Sequence, residues 1–246
     1  MKPQEFVTEA PPVLASRALT SVDELLVLQI PRSQELHQRI SEQETISFDP
    51  TTHTYSLLSR EIVPSVTQVL ERSGLADYSS IDPDVLKRAQ ERGTAVHLAC
   101  ELYDAGNPLA ESVGPKIVPY LDAWKRFRAE SRAVVLRSEH LVYHPRWRYA
   151  GTLDRVVLLN GRVTVLDLKT AAGIEPWVEL QTAAYLHAWN EETENPQLRS
   201  WSHAAIRLRK DGTYRLHMFG SPFRPFSQFL RALKELRERE RGENKP

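Results

Sequence analysis

The dipeptide Asn160-Gly161 stands between two apolar runs, Tyr149 to Leu159 and Arg162 to Leu168. Both residues tolerate the positive φ of a type I′ turn, so the segment reads as a two-residue hairpin, and such a hairpin fixes its own register. Leu159 must face Arg162. Carried outward, the pairing brings Asp154 directly opposite Asp167 on one face of the sheet, with Cβ atoms about 5 Å apart. The period of two adds Val156, Leu158, Val163 and Val165 to that face, with Lys169 two residues beyond Asp167. An otherwise apolar face therefore ends in two carboxylates and a lysine.

Like charges opposed across a sheet are destabilising, and a buried carboxylate resists ionisation. A divalent cation reverses the sign of that argument, and hard oxygen ligands favour Mg²⁺ or Mn²⁺. The plainer alternative is that Lys169 simply pairs with Asp167 at a solvated sheet end. The single cysteine, Cys100, excludes an internal disulfide framework and a Cys-based zinc site, so any metal takes His and carboxylate ligands.

Around the hairpin the pattern is α/β. A strand pair is expected at Ile46 to Phe48 and Thr54 to Leu57, followed by Glu61 to Val63. A short helix then runs from Pro64-Ser65 to about Ser73, and a second, capped by Asp82-Pro83, to about Asp104. A third spans about Pro115 to Arg132. Strands follow at Val134 to Tyr143 and in the hairpin itself, then a helix from Glu175-Pro176 to about Glu192. Strands near Ser202 to Leu208 and Thr213 to Phe219 precede a closing amphipathic helix, Phe226 to Arg241. With 41% hydrophobic and 26% charged residues over 246 positions, a sizeable core is affordable, and fibrous and disordered classes are excluded for the bulk of the chain. Residues 1–45, with an apolar patch from Val22 to Ile30 and a polar stretch from Ser33 to Glu44, read as an extension, partly flexible, with one short helix. Residues 46–246 read as one domain. No apolar run approaches the roughly 18 residues of a membrane helix and no signal peptide is evident, so the expected location is the cytoplasm.

Two further clusters sit on the helices. Gly93, His97 and Glu101 are four apart and share one face, so His97 offers an imidazole ligand and Glu101 a group to orient it, although a lone helical histidine is more commonly just packed. Gln181 and Tyr185 are likewise four apart. They present an amide and a phenol together, or else a core tyrosine with an exposed glutamine.

Taken in order, four pieces resemble the PD-(D/E)XK nuclease superfamily and, within it, the RecB-like, phage-type exonuclease branch. They are Gly93-Thr94-Ala95-Val96-His97, Gly151-Thr152-Leu153-Asp154, Asp167-Leu168-Lys169-Thr170, and Gln181 with Tyr185. The stretch from Phe48 through Pro64-Ser65-Val66-Thr67 to Gly93 looks like the entry region of small phage-type members. The resemblance implies a restriction-endonuclease-like fold, with a central mixed β-sheet, an antiparallel three-strand core and flanking helices. It further implies that His97, Asp154, Asp167 and the backbone carbonyl of Leu168 bind the metal. Lys169 would orient or help deprotonate the attacking water and stabilise developing charge, and Gln181 and Tyr185 would contact DNA near the scissile phosphate. Glu139, on the preceding strand, ranks below these. The implied activity is a metal-dependent DNA exonuclease acting on free ends, in phage, prophage or bacterial recombination and repair. A recombination partner protein or a ring-forming oligomer would accompany some members.

Charge first argues against a nucleic-acid partner, because 32 basic residues cancel 32 acidic ones. The cancellation is uneven: residues 116–170 carry 11 basic and 5 acidic side chains, a net +6. Arg146, Arg148 and Arg155 lie nearest the hairpin in sequence and are the expected phosphate contacts, and Trp147 and Tyr149 are rings able to stack on bases or simply to be buried. Two rival readings share these residues: a binding module that keeps the fold without catalysis, and a structure-selective endonuclease.

Overall fold

Described over residues 46–243 in a computed structural model, the chain begins with a small antiparallel sheet of β1 (Ile46–Asp49), β2 (Thr54–Leu57) and β3 (Ile62–Val63). The extension and the short helix expected over 1–45 lie outside the described residues. Ser65 starts α1 (Val66–Arg72) with a reciprocal cap: its hydroxyl accepts from the Gln68 N–H while the Gln68 side chain accepts from the Ser65 N–H. Asp82 caps α2 (Pro83–Asp104) by accepting from the Asp84 and Val85 N–H groups, and Pro83 takes the first position, where no N–H is needed.

A 3-10 turn over Pro108–Ser112 comes first, and the next helix, α3 (Val118–Ser131), begins three residues later than Pro115 because residues 115–117 form a turn closed by the Ile117 N–H on the Gly114 carbonyl. Strands β4 (Val134–His144), β5 (Tyr149–Leu159) and β6 (Arg162–Lys169) follow, then α4 (Trp177–Glu192), β7 (Ser202–Leu208), β8 (Tyr214–Met218) and α5 (Phe223–Glu243). The last helix starts three residues before Phe226; of its apolar stripe, Phe226, Phe229, Leu233 and Leu236 are buried and Leu230 is half-buried against the same core.

The main sheet has the order β4-β5-β6-β7-β8, antiparallel throughout except where β6 and β7 run parallel across the α4 crossover. It is the mixed sheet with an antiparallel three-strand core that the sequence pattern implies. Asn160 (φ 50°) and Gly161 (φ 74°) both adopt left-handed backbone, and β5 pairs with β6 from Leu159 opposite Arg162 to Arg155 opposite Leu166. Alternation then separates two cores. Val156, Leu158, Val163 and Val165 pack under α1, α4 and α5, whereas Val157, Leu159, Leu166 and Leu168 pack against α2 and α3. Helix α4 is buried on most sides, from Val178 to Trp189, because it fills the crossover. The small sheet is tied on by Tyr55, Leu57 and Val63, which pack with Tyr143 and Ala150, and by a bridge between Ser65 and Ala150. Among the described residues, no helix is long and apolar enough to cross a membrane.

Candidate active site

Three strands present acids in a row. The backbone pairs on either side of Glu139, Ser138 with Arg155 and His140 with Leu153, place it opposite Asp154. One step beyond the last β5–β6 pair, Asp154 in turn faces Asp167. The Asp154 side chain interrupts the ladder there, because its Oδ2 accepts the Leu168 N–H at 2.6 Å. Glu139 holds a φ of 45°, in the left-handed region that a side-chain-bearing residue rarely adopts, and β4 shifts register between Val135 and Arg137. This local irregularity aims the Glu139 carboxylate at the site, as bulges beside functional sites commonly do.

Helix α2 supplies the fourth group. His97 Nδ1 lies 3.5 Å from Glu139 Oε1 and 3.6 Å from Asp154 Oδ1, and its Nε2 donates to the Leu168 carbonyl oxygen at 3.0 Å. One donor atom from each of His97, Glu139 and Asp154 lies within 4.8 Å of the others. Burial works against the imidazolium, yet the carboxylates of Asp154 and Glu139 outweigh it and push His97 up to about 9. Without a cation the protonated histidine supplies the positive charge that this acidic corner requires; as a ligand it would bind in its neutral form, the metal taking over that charge. One imidazole nitrogen, carboxylate oxygens and a backbone carbonyl form a donor set that suits Mg²⁺ or Mn²⁺.

Asp167 faces a different partner. Both its oxygens engage Lys169 Nζ, at 2.9 and 2.7 Å, and the lysine also donates to Gln181 Oε1 at 3.2 Å. Burial drives the Asp167 carboxyl up to about 6 despite the ammonium beside it, with the Asp154 charge adding to the rise. Lys169 is raised above its ordinary value, since Asp167 and Asp154 outweigh the desolvation that acts against the ammonium. The lysine is therefore a held cation, suited to stabilising charge and orienting a water.

The remaining expected residues divide. Gln181 positions Lys169 and is itself buried. Tyr185 is 4% exposed, and its ring occupies the space a Cβ on Gly151 would need, 2.5 Å from the Cε1 atom, which explains the glycine physically. So deep a ring has little surface for DNA; its observed place is the core beneath the site. Arg155 requires a clear correction. It is fully buried, donating to Asp104 Oδ2 (2.8 Å) and Glu139 Oε1 (3.0 Å) with its guanidinium over the Trp124 ring, so it has no access to a phosphate. Strand alternation puts residue 155 on the opposite face from Asp154, a signal the sequence already contained. Arg148 pairs with Glu61 and Arg146 lies over Trp147. Both sit beyond the start of β5, roughly 20 Å along the strand from Asp154 at about 3.3 Å per residue. Tyr149 is buried, its hydroxyl donating to the Ala184 carbonyl.

Two contributors were missed or undervalued. Asp104 anchors Arg155, Arg128 and the Trp124 indole N–H. Glu139, ranked low from sequence, stands at the centre of the cluster. Glu101 is raised by burial and by the Glu139 charge, but it is not among the three gathered groups.

No curated protein matches the chain. Residues 70–245 do match the family model of the PD-(D/E)XK nuclease superfamily, a span containing the acidic row, the lysine and the helix that carries His97. On that match, which covers well over half its length, the chain belongs to the PD-(D/E)XK nuclease superfamily.

Proposed function

We propose that the protein is a Mg²⁺- or Mn²⁺-dependent deoxyribonuclease that digests DNA from free ends, working in the cytoplasm in phage, prophage or bacterial recombination and repair. The observation that carries this reading is the convergence of His97, Glu139 and Asp154 beside the Lys169–Asp167 pair. His97, Glu139, Asp154 and the Leu168 carbonyl would hold the cation, with Asp167 adjoining. When bound, such a cation supplies Lewis-acid activation of water and phosphate.

The chain's own groups do the rest. Lys169, fixed by Asp167 and Gln181, would set a positive charge beside the phosphate oxygens on which negative charge develops, a preorganised electrostatic contribution. Arg155 holds Glu139 from below, so that the carboxylate does not swing away from the cluster. The preference for ends is supported by the likeness of the Gln181 and Tyr185 spacing to the exonuclease branch, in which partner proteins or ring-shaped assemblies also occur.

End-labelled linear DNA and covalently closed circles, each with Mg²⁺ or Mn²⁺, provide the test. The expected result is digestion of linear DNA alone, abolished by chelator, with Asp154→Asn and Lys169→Ala each lowering the rate by about 10²-fold or more. Cutting of the circle would replace exonuclease by endonuclease. Binding without cleavage under every metal would favour a binding module, and full activity in both variants would overturn the site.

A further inference from the structure

We propose that a groove beside Trp177 receives an unpaired nucleotide adjoining the scissile phosphate, which makes single-stranded or frayed DNA ends the substrate class; this rests on the nuclease reading above. Trp177 is the first residue of α4 and is half-buried, with its ring 5.4 Å from Lys169 Nζ. It also lines a groove of about 400 Å³ together with Leu75, Pro176, Leu180, Arg231 and Glu235. That volume lies at the small end of the ligand-site range, roughly 300–1,000 Å³. Lys169 Nζ thus lies over a ring that also lines the groove, so the groove begins one side chain away from the lysine.

The occupant follows from the chemistry of the lining. Tyr78, from the α1–α2 loop, meets Trp177 edge to face with centroids 6.2 Å apart and braces it. An aromatic face beside a cation accepts any nucleobase by stacking, which is how single strands are held without sequence readout. Leu75 is 43% exposed at the groove and extends the apolar platform. Arg231 is exposed and has no ion pair among the described residues, so its guanidinium is available to a phosphate, and Glu235 can accept from a base amino group. In a duplex, base faces are stacked on one another and closed to such a platform. Four of the arginines in the basic stretch are engaged elsewhere: Arg126 with Glu130, Arg128 and Arg155 with Asp104, and Arg148 with Glu61.

Binding is measured with Ca²⁺ in place of the activating metal, using a short single-stranded oligonucleotide that carries 2-aminopurine at one terminal position or the next. A covalently closed dumbbell duplex of the same sequence is the comparison. Wild-type protein is expected to quench 2-aminopurine at one of these positions. Trp177→Ala is expected to abolish the quenching and raise the single-strand Kd about 10-fold or more, leaving the dumbbell Kd unchanged, while Trp177→Phe retains most of the affinity. Leu75→Glu changes an exposed side chain, so the fold is kept, and it should weaken single-strand binding several-fold by placing a carboxylate against the nucleotide. Unchanged single-strand affinity in Leu75→Glu and Trp177→Ala, or equal losses on both DNAs, would overturn the proposal. Parallel digestion of linear DNA by wild-type protein separates the two readings: absence of cleavage under every metal defeats the nuclease reading, whereas cleavage with a flat response to these substitutions defeats only the groove.

Discussion

Gly151 has no side chain because Tyr185, 34 positions later, occupies the space. A Cβ there would lie 2.5 Å from one ring carbon and 3.3 Å from the next, and the ring is 4% exposed with no room to retreat. Gly151→Ala is therefore expected to lower stability by about 1–3 kcal/mol, an overpacking cost, and to reduce cleavage because Asp154 lies three residues along the same strand. A double-mutant cycle with Tyr185→Leu checks this by urea denaturation. The combined loss should fall short of the sum by roughly 1 kcal/mol or more, since truncating the ring makes the room that alanine needs. Strict additivity would mean the two do not compete for one space. At this scale the sequence was readable as pattern only. Gly-x-x-Asp was visible, but its cause lies on a helix that only the crossover brings into contact.

Element by element, legibility tracked how tightly the turn specified the register. Asn160-Gly161 allows one pairing, and the observed ladder follows it from Leu159 opposite Arg162 down to Arg155 opposite Leu166. The β4–β5 connection through Pro145 to Arg148 allows several, and β4 contains a register shift besides, so nothing in the sequence placed Glu139 opposite Asp154. Arg155 shows the same limit from the other side of the sheet. Its partner Asp104 ends α2, about 50 residues earlier, and the guanidinium spans from that helix to Glu139 on β4. Breaking a buried ion network by removing one partner typically costs about 3–5 kcal/mol. Arg155→Met should therefore lose that much in chemical denaturation, and Mn²⁺ affinity measured by calorimetry should fall about 10-fold or more as Glu139 loses its support. Arg155→Met with unaltered metal affinity would show that Glu139 is oriented by β4 alone.

For the whole molecule, charge is organised differently inside and out, and both arrangements make predictions. Inside, His144, His187 and His203 are each held neutral by burial, their values lowered to about 4 from 6.5, with His144 and His187 stacked on either side of Phe226's neighbourhood. The unfolded chain takes up these protons below about 6.5 and the folded chain only near 4, so stability is present above that window and is lost as the pH falls through it. The buried His144 and His203 each contribute on the order of 1 kcal/mol per pH unit and the half-buried His187 less, with Asp167, whose carboxyl is raised, opposing over part of the range. His144→Phe should flatten the dependence of the urea midpoint between pH 7 and pH 5, and an unchanged slope would exclude His144 as a contributor. Outside, residues 116–170 carry a net +6, but the fold ties Arg126, Arg128, Arg148 and Arg155 to carboxylates. Beside the site, Lys169 is held by Asp167 but faces the reacting phosphate in the proposed reading, and Arg207 and Arg231 have no carboxylate partner among the described residues. Single-strand binding should therefore follow a shallow line, with log Kobs against log salt near a slope of −2, about −0.7 for each phosphate held. Arg231→Ala should take about 0.7 from that slope, whereas Arg128→Ala should lower stability and leave the slope alone. A slope of about −4 or steeper would mean that Arg126, Arg128 and Arg148 release their carboxylates to DNA, and that the surface charge, not the groove and the metal corner, dominates binding.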